Sequence, residues 1–350
     1  MSKIWQILYE AKLTQGNEPS QKDLNSPWYV KTLLAFTGWL AALFVLGFLA
    51  TALHGLLDNK IALMIFGIFM IGLAYTIFKK EVNDFVEHLG LAISVAGQIL
   101  IYIAMVELLR ESSLSLWLTL MLFQVFLALN IPHYIHRFFS AFIATYASLF
   151  VLALLGMPYA LTPLFMLIIA YIWLNEFHFK EREKMQAIGY GILLAFLYMQ
   201  SVRMSQHTPF LWSYNEGFVE LWFPSWLGAL LSGVIFGFVL MHIVKQYQKT
   251  LHNKLKITLL LAVILLVLAT LKIPTLLVSI FILILGFNHS NRVFLAVGVA
   301  SFLFSISSYY YFLNITLLEK AGHLFIFGLL LLLLRWVVFH VVFKKEAKNV

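Results

Sequence analysis

The residues whose types and spacing are best suited to chemistry form one polar stripe, which runs from a cluster of charges into an apolar segment at 79–109. The members recur at helical spacing and are Asp84, Glu87, Ser94, Gln98 and Tyr102. On a helix, residues three and four apart share a face. A Gln amide that faced lipid would lose its hydrogen bonds at a cost of roughly a few kcal/mol, so the stripe is expected to face other helices or a wet cavity. Two interpretations stay open: a vestibule leading to a polar site, or a packing surface in which Gly90 and Gly97 permit a close approach.

A second set of residues combines imidazoles with a carboxylate. His133 and His136 are three apart, and Glu176 and His178 fall on the same predicted side of the membrane. Such a set could bind zinc or relay protons. The spacing matches no metal motif with a fixed ligand order, and histidine is common at membrane interfaces. The sequence therefore predicts no metal and no cofactor, with these four residues as weak candidates only.

Motifs of known catalytic sites do not occur in the sequence. It has no glycine-rich phosphate loop after a strand, no serine elbow, no zinc-binding HExxH pair and no paired intramembrane aspartates. The enzyme hypothesis is weakened by this result, and a non-enzymatic function is favoured.

The composition indicates the class of protein that must position these residues. The chain has 350 residues, of which 62% are hydrophobic and only 11% are charged. These values lie far outside the range of soluble proteins and are typical of polytopic membrane proteins, whose main partner is the lipid bilayer. The net charge of +8 arises from basic residues scattered over the connections between apolar segments. This pattern reflects membrane orientation and predicts no binding to nucleic acid.

The apolar segments predict an all-α bundle of about twelve transmembrane helices. Only Lys272 and Pro274 separate the apolar segments of the ninth and tenth helices. If these two helices form one broken element, the chain has eleven spans. The predicted helices are 28–54, 61–78, 85–109, 114–131, 137–155, 159–176, 185–203, 225–246, 255–271, 273–287, 292–312 and 318–342.

The distribution of basic residues predicts that both termini are cytoplasmic. In the twelve-span topology, few of the 24 Lys and Arg residues fall on the side opposite the termini: Lys60, Arg110, Arg203, Lys272 and Lys320. Connections rich in Lys and Arg stay in the cytoplasm. The predicted organisation is a cytoplasmic amphipathic segment at 1–26, a single transmembrane domain at 27–342 with an aromatic outer loop at 203–224, and a basic cytoplasmic tail at 343–350.

Three pairs of short motifs give the chain a resemblance to a known family. They are PWYVK at 27–31 with GWLAA at 38–42, NDF at 83–85 with SVAGQ at 94–98, and YYYFL at 309–313 with TLLEK at 316–320. In this order and spacing they resemble an uncharacterised bacterial membrane-protein family, domain of unknown function 4401 (DUF4401). The resemblance covers most of the chain, and one departure is Ala321, where the family pattern has serine.

The resemblance implies a location more than a mechanism. The family has no assigned activity, so no catalytic residue is carried over. What it implies is the bacterial inner membrane, and as partners a membrane-anchored GDYXXLXY-type protein or a related multi-pass protein. It also marks Asp84, Gln98, Thr316 and Lys320 as positions to test.

Three functional hypotheses follow from the sequence. The first is a component of a membrane complex that assembles with a partner protein. The second is a small-solute transporter or channel, for which the polar stripe is the motivation. The third is a lipid-processing membrane enzyme, which rests only on the His, Glu and Asn residues of the predicted cytoplasmic side.

Overall fold

The computed structural model describes residues 59–80, 84–109, 114–204, 223–247, 253–270, 274–312 and 316–342, together with isolated helical positions between 33 and 51. Across these residues the regular structure is helical. The helices are α1 (Lys60–Phe78), α2 (Asp84–Leu109), α3 (Leu114–Asn130), α4 (Tyr134–Leu154), α5 (Leu161–Leu174), α6 (Arg182–Met204), α7 (Ser225–Tyr247), α8 (Asn253–Thr270), α9 (Pro274–Asn288), α10 (Arg292–Phe312) and α11 (Leu317–Val342). The all-α prediction is confirmed.

The predicted helix limits agree with the structure to within about three residues for α1 to α11. Six of these helices have the length and hydropathy needed to cross a membrane, and three shorter apolar helices accompany them among the described residues. The six are Lys60–Phe78, Phe85–Leu109, Tyr134–Leu154, Arg182–Val202, Ser225–Gln246 and Arg292–Tyr311. The chain is therefore a multi-pass membrane protein. The predicted amphipathic segment at 1–26, the basic tail at 343–350 and most of the aromatic loop at 203–224 lie outside the described residues.

The chain divides into two compact units, Met1–Leu108 and Leu109–Val350. In the first unit, α1 packs against α2 through glycines. A Cβ atom on Gly67 would lie 2.6 Å from the carbonyl oxygen of Gly97, and a Cβ atom on Gly90 would lie 3.0 Å from Cγ2 of Ile77. Small residues at a membrane-helix interface let the backbones approach closely. This packing explains why α2 has glycine at positions 90 and 97.

The second unit contains α3 to α11, and buried side chains from α4 to α10 form its larger apolar core among the described residues. Helix α4 packs against α3 and α6, α5 lies against α6 and α7, and α9 packs along α10. The ring of Trp173 on α5 is buried between Tyr190 on α6 and Phe294 on α10, with ring centroids 4.8 and 4.6 Å away. The bulk of three aromatic side chains thus holds α5, α6 and α10 together.

Polar side chains at the helix ends fix where several helices begin. Asn59 Oδ1 accepts hydrogen bonds from the amides of Ile61 and Ala62 at the start of α1. At the start of α10, Asn291 Oδ1 does the same for Val293 and Phe294. The first amides of a helix have no partner within the helix, so such caps stabilise its start.

Candidate functional site

The two histidines at the start of α4, His133 and His136, form hydrogen bonds within that helix and its cap. Nδ1 of His133 accepts a hydrogen bond from the backbone amide of His136 at 3.1 Å and caps the helix. The ring of His136 is buried, and its Nδ1 lies 3.3 Å from Oγ of Ser140 one turn further along α4. Because Nδ1 of His133 is an acceptor, the proton of a neutral ring lies on Nε2.

Glu176 is the centre of a polar cluster that joins the end of α5 to the start of α6. Its Oε1 accepts hydrogen bonds from Nη2 of Arg182 at 2.8 Å, Nε of Arg182 at 3.1 Å and Nε2 of Gln186 at 2.6 Å. The Glu176 side chain is only 5% exposed. A buried carboxylate is stable when it is paired and hydrogen-bonded, and these donors meet that need. We call these three residues the Glu176 cluster.

The Glu176 cluster is extended by the turn between α9 and α10. His289 in this turn stacks on Phe177, with ring centroids 6.2 Å apart and planes inclined by 28°. Nε2 of His289 is enclosed and has no hydrogen-bond partner among the described residues. Burial lowers the pKa of His289 below its ordinary value of 6.5, and the carboxylate of Glu176 opposes this effect. Nδ2 of Asn291 donates to the Tyr190 hydroxyl at 2.8 Å and ties the same turn to α6.

The four weak candidates for metal ligation do not form a ligand set in the described part of the chain. There the structure gathers no three His, Cys, Asp or Glu side chains with the geometry to hold a metal ion. Glu176 is occupied by Arg182 and Gln186, while His178 is exposed.

The residues of the predicted polar stripe all belong to α2. Ser94 is completely buried, while Glu87, Gln98 and Tyr102 are half-buried. Each of these four residues already takes part in an interaction. Asp84 is the first residue of the helix, and its side chain lies outside the described part. Gly90 and Gly97, on the neighbouring face, provide the close contact with α1. A functional role of the stripe stays a prediction.

The two family-motif positions near the end of the chain organise the start of α11. The backbone amide of Thr316 donates to Oε2 of Glu319 at 3.1 Å, and the amide of Glu319 donates to Oγ1 of Thr316 at 3.3 Å. This reciprocal pair is a capping box. Lys320 is buried, and its Nζ donates to the carbonyl oxygen of Tyr310 at 2.6 Å. Lys320 therefore links α11 to the end of α10.

A ladder of hydroxyl groups between α9 and α10 was not identified from the sequence. Oγ of Ser279 lies 2.8 Å from Oγ of Ser301 and 3.1 Å from Oγ of Ser305. It also donates to the carbonyl oxygen of Thr275 at 2.9 Å. The four-residue spacing of Ser301 and Ser305 is the signal from which one side of this ladder could be found. Such hydrogen bonds hold helices together where no water is available.

An apolar groove of about 300 Å³ lies between α3, α4, α5 and α6, where its lining on α4 comes from the middle of that helix. Its volume is at the lower end of the range of ligand pockets, roughly 300–1,000 Å³. The groove depends on the packing order of four helices, which no local pattern reveals. Its walls are formed by Met121, Val125, Ala128, Leu129, Ala141, Ala144, Thr145, Ser148, Leu164, Phe165, Ile168, Ile188 and Ile192.

Comparison with known proteins identifies the family of the chain. The model of a family described as "Domain of unknown function (DUF4401)" matches residues 27–340. The match spans nearly the whole chain, so the protein belongs to this family, as its motifs predicted. Neither the curated proteins nor the solved structures gave a match.

Proposed function

We propose that this DUF4401 protein is a component of a complex in the bacterial inner membrane and associates with a partner protein through helix faces that its own packing leaves open. Twelve spans and cytoplasmic termini are part of the proposal. The partner classes implied by the family resemblance are a membrane-anchored GDYXXLXY-type protein and a related multi-pass protein.

The observation that carries the proposal is a contrast between two kinds of glycine. A Cβ atom on Gly191 or Gly228 would collide with the backbone of Phe138 or Tyr159, so glycine is needed there for internal packing. In contrast, a Cβ atom on Gly72, Gly322 or Gly328 would meet no neighbouring atom within 4 Å in the described part of the chain. Packing among the described residues therefore gives no reason for glycine at these three positions.

Open glycines on membrane helices are suited to contact with another helix. Apolar side chains gain little from leaving lipid for a protein surface, so association depends on close packing at small residues. Gly328 shares a face of α11 with Ala321, seven residues earlier, and Ala321 is exposed. Gly72 is exposed on α1 beside Phe69. These two faces are the proposed contact surfaces.

The partner hypothesis is tested by crosslinking in native membranes followed by affinity purification of the chain. We expect a specific second protein to be recovered with the wild type. Gly328→Leu should reduce this recovery, because a bulky side chain holds the partner helix away. Ile326→Phe is the matched control, since Ile326 is exposed on the opposite face of α11. Recovery of the wild-type chain alone, as a monomer, would contradict the proposal.

The topology is tested with single cysteines. The native chain contains no cysteine, so an introduced thiol reports its own position. With twelve spans, a membrane-impermeant maleimide applied to intact spheroplasts should label Ser205→Cys and leave Ser20→Cys unlabelled. Labelling of Ser20→Cys from outside would overturn the cytoplasmic position of the N-terminus.

A further inference from the structure

We propose that the groove between α3, α4, α5 and α6 binds one acyl chain of a membrane phospholipid, and that the phosphate of this lipid is held by Arg137. The proposal is independent of the partner complex, because it rests on another part of the chain.

The position of the groove gives it access from the bilayer. Its lining includes Val125, Leu129 and Leu164, which are 41, 47 and 41% exposed. They lie on two of the shorter apolar helices of this membrane protein, so the proposal places lipid around them. A hydrocarbon chain can therefore enter from the side without crossing water.

The walls of the groove favour hydrocarbon over a polar ligand. Its two hydroxyl groups are already used within α4: Oγ1 of Thr145 donates to the carbonyl oxygen of Ala141 at 2.8 Å, and Oγ of Ser148 donates to that of Thr145 at 2.6 Å. The other lining residues are apolar. A polar solute would lose its hydration here without replacement hydrogen bonds, whereas an acyl chain loses nothing.

Arg137 supplies a charge at the end of this apolar surface. On α4, the groove-lining residues Ala141, Ala144 and Ser148 follow at steps of three and four, and Arg137 precedes Ala141 by one turn on the same face. Nε of Arg137 is enclosed and has no hydrogen-bond acceptor among the described residues. The carboxylates of Glu181 and Glu183 attract the positive charge of Arg137 electrostatically. Neither forms an ion pair with it in that part of the chain.

The combination of an apolar groove and an enclosed arginine donor identifies the ligand chemistry. A phospholipid carries its phosphate next to its acyl chains, and a guanidinium forms strong paired hydrogen bonds with phosphate oxygens. Lys184, one turn before the lining residue Ile188 on α6, pairs with Glu181 at 3.1 Å, so the proposal assigns the phosphate to Arg137 and not to Lys184.

The test measures the lipid that stays bound to the full-length protein in detergent. Native mass spectrometry after addition of phosphatidylglycerol is expected to show a retained lipid on the wild type. Arg137→Gln should reduce retention by at least about tenfold, as expected when one or both charge-assisted hydrogen bonds to the phosphate are lost. Arg137→Lys, which keeps the charge, should retain more lipid than Arg137→Gln. The matched control is Arg292→Gln, since Arg292 is exposed at the start of α10.

A second variant tests the groove independently of the charge. Leu164→Trp adds bulk at the half-exposed mouth, where the fold has space, and should also reduce retention. Equal retention by Arg137→Gln and Arg292→Gln would overturn the phosphate contact. Absence of bound lipid from the wild type, or a partner protein crosslinked at Val125 in place of lipid, would overturn the proposal as a whole.

Discussion

Gly67 and Gly97 bring the backbones of α1 and α2 into direct contact. A methyl group on either residue would lie 2.6 Å from the carbonyl oxygen of the other. Cβ atoms in proteins essentially never lie this close to a non-bonded atom, so any residue larger than glycine must push the two helices apart. The packing within the first unit thus depends on two residues that have no side chain.

We predict that Gly97→Ala lowers the free energy of unfolding by about 1–3 kcal/mol, the usual cost of forcing extra atoms into a packed interface. The measurement is reversible unfolding by sodium dodecyl sulfate in mixed micelles. Gly72→Ala is the matched control on α1, because a Cβ atom there meets no described atom within 4 Å. Its effect should stay within about 0.5 kcal/mol. Equal destabilisation by the two variants would show that the close contact does not determine stability.

The sequence predicted the helices well because each helix is encoded locally. Long apolar segments fix where a chain enters the bilayer, and residues such as Pro274 at the first position of α9 mark the boundaries. Which helices become neighbours is not encoded in this way. The contact between Asn291 and Tyr190 joins residues far apart in the chain, and the groove requires four helices to meet.

The candidate site shows the same limit at the level of single residues. Glu176 is a weak candidate metal ligand in the sequence because histidines lie near it, but its hydrogen-bond partners are Arg182 and Gln186. Six and ten residues separate them from Glu176, across a change of helix direction that spacing rules do not describe. For Ser94, helical spacing predicts a face shared with Gln98, but the complete burial of Ser94 depends on neighbours that the sequence does not specify.

The Glu176 cluster is predicted to stabilise the junction of α5 and α6. Arg182→Met should lower the free energy of unfolding by about 1–2 kcal/mol, because it leaves a buried carboxylate with fewer donors; the half-exposed arginine keeps the loss below that of a fully buried pair. Lys184→Met removes the more exposed ion pair with Glu181 and should cost less than about 0.5 kcal/mol. The same micelle unfolding measurement compares them. If Lys184→Met costs as much as Arg182→Met, burial of Glu176 is not the cause.

The capping box of α11 is predicted to contribute to stability through the Thr316 hydroxyl. Thr316→Val keeps the shape of the side chain but removes the oxygen that accepts from Glu319, and should cost about 0.5–2 kcal/mol. Thr316→Ser restores the oxygen and should recover most of this loss. The midpoint of thermal unfolding in detergent distinguishes the variants. Failure of serine to rescue would indicate that the threonine methyl group, not the cap, is what matters.

The hydroxyl ladder is predicted to hold α9 against α10. Ser279→Ala removes the shared hydroxyl and should lower the free energy of unfolding by about 0.6 kcal/mol, with an upper value near 1.7 kcal/mol for hydrogen bonds between membrane helices. Ser307→Ala, at an exposed position of α10, is the matched control and should change little. Micelle unfolding titrations of both variants provide the comparison. A larger loss from Ser307→Ala would point to an external contact of α10 instead.

The stability of the protein is predicted to decline as the pH falls below about 6.5, in part through His289. This residue lies in the turn between α9 and α10, and burial lowers its pKa while Glu176 partly opposes the shift. At higher pH the imidazole is neutral in both the folded and the unfolded chain. As the pH falls from 6.5 towards the lower pKa of the folded state, the unfolded chain binds the proton first, and folding is disfavoured.

His289→Gln should flatten this part of the profile of unfolding midpoint against pH. His178→Gln, at an exposed position, is the comparison variant. An unchanged slope in His289→Gln would assign the pH dependence to other groups.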